Sequence, residues 1–369
     1  MIYFDNAATT FKKPDCVYKA VNDCLKKYSA NSGRSAHRLS LKASEAVYSA
    51  RENIARHFKY KSPENVVFTH NATYALNMAI KTLIPQNCHV IISDIEHNSV
   101  LRPIKSLAAD GRITYSIYSS RAENVFKEIE SKIRPDTKVI VSTIASNVTG
   151  EIIPFFALSE LKRKYGLTLI VDASQAAGHF EIDLGRLLFD AFIAPAHKAL
   201  FGIMGSGFCI FNTTPEKTFI EGGSGSDSGS DHMPTFLPER MEAGTVALPA
   251  IAALSSGVNY INSVGISKIT CFVDNLTSIL TERLNELKGV SVYGGYNGVV
   301  SFNVLGMSSE TVAAELDEKK ICVRAGLHCA PLAHITNGTA DHGTVRISLS
   351  YFNTKKEIDK VYRTIKDLI

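Results

Sequence analysis

The sequence predicts an α/β protein in which a doubly wound, largely parallel sheet is followed by a smaller α+β unit. Three observations carry this reading. Short β-rich runs alternate with helix-periodic stretches through the first two thirds of the chain. A stretch rich in Gly, Ser and Asp, EGGSGSDSGSDHMP (221–234), then interrupts the alternation. Beyond it helices and strands resume in a different arrangement, in a chain whose 369 residues are long enough for two domains.

NVVFTH (65–70) reads as a strand and Ala72 to Leu83 as a helix. CHVIIS (88–93) is a second strand, with a helix from Ser99 to Ala109. ITYSIY (113–118), KVIVST (138–143), LTLIVDA (167–173), DAFIA (190–194) and GFCIF (207–211) continue the strands, and Ala157–Tyr165 between them is helical in pattern. In such a sheet ligands sit beyond the carboxyl ends of the strands. The 221–234 segment has no apolar period; it reads either as a flexible surface loop or as an ordered active-site or interface loop. Pro249–Val264 and Ile266–Leu287 read as helices. VVSFNVL (299–305), ICVRA (321–325) and TVRISLS (344–350) read as strands, with helices near Ser308–Lys319 and Thr354–Leu368. The boundary is expected near residue 250, giving a large domain of residues 15–250 and a small domain of 1–14 with 251–369.

Composition narrows the function. With 45% hydrophobic and 21% charged residues the chain is ordinary globular protein, not disordered or fibrous. Net charge is +4 and dispersed, so no nucleic-acid footprint is expected. No apolar run reaches the roughly 18 residues of a membrane span, and MIYFDNAATT lacks a basic region followed by an apolar one, so neither a membrane nor a secretory signal is expected. Seven cysteines, an odd number without a C-x-x-C pair, argue against a disulfide scaffold or a zinc or other metal site. A reducing cytoplasm is the expected location.

Two residues suggest chemistry. Asp172 ends an apolar strand in LIVDASQAAGH, where a carboxylate faces the ligand crevice or merely caps a helix. Lys198 follows another strand in FIAPAHKALFG. Together they suit pyridoxal 5′-phosphate, which needs a lysine for its Schiff base and a carboxylate to keep the pyridine nitrogen protonated. THNATYALN (69–77) runs from strand into helix through small polar residues, a start that could face an anion or simply be capped by Asn71 or Thr73.

Pieces spread over nearly the whole chain match a known pattern in order and spacing: YFDNAATT (3–10), HRLS (37–40), NATYALN (71–77), EHNSVLRP (96–103), SNVTGEIIP (146–154), VDASQAAGH (171–179), His197–Lys198, EAGT (242–245), VRAGLHCAP (323–331) and GTVRISLSYFNT (343–354). On these residues the chain resembles the cysteine desulfurase and selenocysteine lyase family, class-V aminotransferase-like enzymes of the fold-type I pyridoxal-phosphate transferases. The last two pieces resemble the group with a short active-cysteine segment. The resemblance implies pyridoxal 5′-phosphate as cofactor, L-cysteine as substrate, a homodimer and a sulfur-acceptor protein as further partner.

It also implies roles. Lys198 would carry the Schiff base and move the α-proton, Asp172 would pair with the pyridinium nitrogen, and His97 would stack on the ring. Gln175 would bond the ring's phenolic oxygen. Ala72, Thr73 and His197 would bind the phosphate, which Thr245 would reach in the partner subunit's site. Arg346 would hold the substrate carboxylate in its planar fork, unless it forms an internal ion pair. Asn147 would contact cofactor and carboxylate, with Arg324 and His37 as neighbours of the substrate. Cys329 would attack the substrate's sulfur, yielding alanine and an enzyme persulfide. A selenocysteine lyase would use the same residues, and a non-catalytic partner protein of this fold would not need Lys198, Asp172 and Cys329 together. Where the family often has Ser or Thr as a phosphate ligand this chain has Pro195; FGIMGSG follows the lysine where Gly-Pro is common, and Leu327 stands where the SUF-type pattern often has a second histidine.

Overall fold

The computed structural model describes residues 1–33, 37–226 and 229–369. In chain order the first part comprises β1 (Ile2–Tyr3), α1 (Asp15–Lys27), α2 (Arg38–His57), β2 (Val66–Thr69), α3 (Ala72–Leu83), β3 (Cys88–Ser93), α4 (Asn98–Ala109), β4 (Ile113–Tyr118) and α5 (Val125–Ser131). There follow β5 (Thr137–Thr143), α6 (Phe155–Tyr165), β6 (Thr168–Asp172), β7 (Ala191–Pro195) and β8 (Gly207–Phe211). The last part comprises α7 (Leu248–Val264), α8 (Ile266–Asn285), β9 (Val290–Tyr296), β10 (Val299–Val304), α9 (Ser309–Glu318), β11 (Ile321–Cys322), α10 (Pro331–Thr336), β12 (Val345–Ser348) and α11 (Lys355–Lys366).

Seven strands form one sheet in the order β2-β8-β7-β6-β5-β3-β4. All neighbours are parallel except β8, which is antiparallel to both β2 and β7. The reason lies in the β7–β8 connection: residues 196–206 are too few for a crossover helix, so the chain turns straight back. That turn carries Lys198. Central strands are apolar on both faces because helices cover both. Alternation along them sorts two cores: Ile140, Leu169 and Val171 join one cluster, Val139, Val141 and Ile170 the other.

The C-terminal part holds a three-stranded antiparallel sheet, β12-β10-β9, and β11 pairs in parallel with β1. The N-terminal residues therefore run with the C-terminal ones. α7 packs on α1 and α2. Its Gly257 is required by a close approach: a Cβ there would lie 2.1 Å from the Leu200 carbonyl oxygen, so the helix rests directly on the Lys198 turn. The expected strand ICVRA is ladder-paired only at Ile321–Cys322, after which Arg324 makes a lone bridge to Arg346. Residues 221–226 and 229–234 contain no helix or strand, and Asp227 and Ser228 of that loop lie outside the described residues. Among the described residues no helix is long and apolar enough to cross a membrane.

A buried ion pair ties the EAGT segment to the sheet. Arg51 of α2 donates Nη1 and Nη2 to Glu242 Oε1 and Oε2 at 2.7 and 2.6 Å, and both side chains are under one tenth exposed. Glu242 also accepts the Phe68 amide, and Arg51 donates to the Val66 carbonyl, so the pair closes around β2. Removing one partner strands the other charge in a dry site. Glu242→Gln is expected to destabilise the chain by about 3–5 kcal/mol in urea unfolding; a loss below about 1 kcal/mol would mean that water reaches Arg51.

Candidate active site

Five strand ends converge on one cavity of about 210 Å³. β2 leads to Asn71, Ala72 and Thr73, β3 to His97, β5 to Thr143 and Asn147, β6 to Asp172 and Gln175, and β7 to His197 and Lys198. From the C-terminal part Arg324, His328, Cys329 and Arg346 close the opposite wall. A cavity of about 760 Å³, bordered by Tyr48, Arg51, Gly223 and Thr245, is larger, but among the described residues no lysine, cysteine or histidine lines it. Chemistry therefore resides in the smaller one.

Lys198 is the pivot. Burial pushes its amine down to about 8, against the pull of Asp172, while Arg346 and Arg324 add to the lowering. Asp172 is 2% exposed and lines the cavity, as the crevice reading expects; its Oδ1 accepts the Ser174 amide at 2.9 Å, but no helix starts there, so the bond closes a turn and is not a helix cap. His97 caps α4 by accepting the Ser99 amide on Nδ1 at 3.1 Å. Burial first, then Lys198, push its pKa down to about 4. The ring is neutral at physiological pH and presents a flat apolar face.

The residues fit a pyridoxal phosphate. Asn71 accepts the Tyr74 amide at 2.8 Å, which leaves the first amides of α3 free to face an anion. His197 Nδ1 and Gln175 Oε1 are buried with no partner, the signature of a polar occupant. Gln175 Nε2 donates to the Ala7 carbonyl at 2.9 Å and keeps a second hydrogen for an acceptor. Pro195 lines the cavity without a donor. Among the described residues no group of three or more His, Cys, Asp or Glu could hold a metal ion.

Of the two readings of Arg346, the internal ion pair is the one observed. Arg346 lines the cavity, yet Nη2 donates to Asp5 at 2.8 Å and Nη1 to the Asn147 carbonyl at 3.0 Å. Its Nε is buried without a partner. Asn147 in turn donates Nδ2 to the His328 carbonyl at 2.7 Å. Cys329 is exposed at the cavity mouth. His328 and Cys329 both adopt positive φ, 48° and 57°, which strains non-glycine residues by roughly 1–3 kcal/mol each. The strain is held from three sides: by Asn147, by Asn98, whose amide donates to the Cys329 carbonyl at 2.7 Å, and by Thr344, 3.1 Å from His328 Nε2. His328 is an anchor. Burial, then Arg346, push its pKa far down, so its ring stays neutral.

Two expected residues lie elsewhere. His37 is exposed, caps α2 through the Ser40 amide and does not line the cavity. Thr245 is exposed, borders the larger cavity and is outside its own chain's site. Residues outside the motif-based reading also matter. Asp5 is one, sitting in the YFDNAATT piece. Glu96, beside His97, is fully buried and accepts from Ser93 Oγ and, at 2.8 Å, from the Thr143 amide, clamping β3 to β5. Burial lifts its pKa to about 8, so it is a neutral acid at pH 7. An acid between two apolar runs is the only sequence signal it leaves.

The chain matches the family described as Aminotransferase class-V over residues 2–361. It is 30% identical over 380 residues to a probable cysteine desulfurase of Methanothermobacter thermautotrophicus, covering 100% of this chain and 94% of that one. A probable cysteine desulfurase of Pyrococcus abyssi is 31% identical over 384 residues, with the same coverage of 100% and 94%. The apo structure of the cysteine desulfurase from Thermococcus onnurineus NA1 superposes with a TM-score of 0.92 at 30% identity, over 100% of this chain and 94% of that one. With strand order, cavity and these matches agreeing end to end, the chain belongs to the class-V aminotransferase family, among the cysteine desulfurases.

Proposed function

We propose that the chain is a pyridoxal 5′-phosphate-dependent cysteine desulfurase that moves the sulfur of L-cysteine to Cys329 and releases L-alanine. The observation that carries the reading is one cavity lined by a depressed lysine, a buried aspartate, an anchored arginine and an exposed cysteine. Lys198, Asp172, His97, Gln175, Thr73 and His197 would hold the cofactor, which when bound withdraws electrons from the substrate's α-carbon.

The chain's own residues do the rest. Arg346, aimed by Asp5 and the Asn147 carbonyl, binds the substrate carboxylate, with Arg324 beside it. Lys198 Nζ, with a pKa of about 8, takes and returns a proton at neutral pH. Cys329 Sγ, as thiolate, attacks the substrate's sulfur: an S–S bond forms, the C–S bond breaks, and the carbon gains the proton. The products are L-alanine and a Cys329 persulfide, handed to an acceptor protein or thiol at the open mouth. A cytoplasmic setting suits a persulfide-bearing enzyme.

Cys329→Ser tests the reading. It leaves the cofactor residues in place but removes the nucleophile. Persulfide on the peptide holding residue 329 should vanish from the mass spectrum, and alanine release from L-cysteine should fall by at least about a hundredfold. Alanine release at the wild-type rate would refute sulfur transfer to Cys329.

The lowered amine gives a second expectation. Only the neutral amine attacks a carbonyl, and a pKa of about 8 makes it available at lower pH than an ordinary lysine. Cofactor capture by the apo chain, read by absorbance, should rise with pH through about 8 and then level off. A rate still climbing at about pH 10 would place Lys198 in water.

Thr245, exposed and outside its own cavity, supports a two-fold dimer in which it completes the neighbour's phosphate site. Light scattering should give twice the chain mass. A fully active monomer would refute the shared site.

A further inference from the structure

We infer that Lys13 is a positioning residue for the anionic end of the cavity: its buried ammonium braces the Lys198 turn and supplies a positive charge that the residues lining that end lack. The inference rests on the cofactor reading above.

Lys13 is 8% exposed, and among the described residues it has no carboxylate partner. A buried lysine without an acid is uncommon and needs compensation. Its Nζ donates to Thr10 Oγ1 and, at 3.1 Å, to the His197 carbonyl. That carbonyl collects three more donors: Thr10 N at 3.0 Å, and Thr9 Oγ1 and Thr10 Oγ1, each at 3.1 Å. Thr10 Oγ1 lies equally near the Lys198 carbonyl, at 3.1 Å, so its single proton serves one of the two carbonyls or is shared between them. The N-terminal segment thus grips the peptide that precedes the reactive lysine.

What the grip lacks is an anion. Ala72 and Thr73 offer amides and a hydroxyl, Pro195 offers no donor, and His197 is pushed down to about 4 by burial, then by Lys198 and Lys13. Burial brings Lys13 itself down to about 8, which leaves it mainly protonated at neutral pH. In a dry site one uncompensated charge acts strongly over several ångströms. A phosphate held by His197 and the α3 amides would compensate it.

The test titrates the apo chain with pyridoxal 5′-phosphate and with pyridoxal, which lacks the phosphate, and follows absorbance. Lys13→Met should weaken pyridoxal 5′-phosphate by about tenfold or more while changing pyridoxal by less than about twofold, and Lys13→Arg should restore most of the difference. Thr10→Val keeps the ammonium and should leave the ratio of the two affinities unchanged, a readout that stands even if Lys13→Met does not fold. Equal weakening of both ligands by Lys13→Met would reduce Lys13 to a brace and overturn the inference, as would wild-type affinity or a changed ratio in Thr10→Val. A wild-type chain that takes up neither ligand would instead overturn the cofactor reading on which the inference stands.

Discussion

A lysine has to be kept out of water, within reach of an aspartate, and still be left facing a cavity. Most of the structure around Lys198 answers that constraint. The β7–β8 turn is short enough to present the amine rather than bury it in a helix. Gly257 lets α7 lie on the turn without a side chain between them. Asp172 keeps its place through the Ser174 amide, and the neutral Glu96 joins the neighbouring strand ends without adding a second negative charge at pH 7. Lys198 and Asp172 face a cavity suited to an ionic occupant, while Arg346 is held by Asp5.

The C-terminal wall follows from a second economy of contacts. Arg346 is fixed by Asp5 and by the Asn147 carbonyl, while the Asn147 amide fixes His328, and so the cysteine next to it. Arg346 and Cys329 are thereby set by one asparagine. Their separation is a property of the folded chain, independent of any bound molecule.

Much of this was legible in the sequence. Both-face burial leaves apolar runs such as LIVD and AFIA, and helices such as Ala72–Leu83 begin where a cap residue stands. β9 was not legible. It carries two glycines and no assigned pattern, and a Cβ on Gly294 would lie 2.3 Å from the Thr149 carbonyl oxygen, so tertiary contact with the Asn147 loop sets that backbone. Asp5, Glu96 and Lys13 escaped for a related reason. Their roles depend on partners distant in sequence or across the sheet, and no spacing rule encodes those. The 221–234 loop stayed ambiguous because it has no apolar side chain pattern to commit it to a face. His37 and Thr245 are placed where a family likeness is the only pointer to the site, since neither touches it within one chain.

The pairing of the two chain ends has a consequence for biosynthesis. Asp5 bonds Arg346, Asn6 and Ala7 bond Ser348, and β1 pairs with β11. Residues 2–7 therefore wait for residues 321–348, which are synthesised long after them. The large sheet can close early from neighbouring strands, but the wall opposite Lys198 cannot form until Arg346 has emerged. Contacts of such sequence separation are slow to form. A chain made only as far as β8 would carry Lys198 with neither Arg346 nor Cys329 yet opposite it.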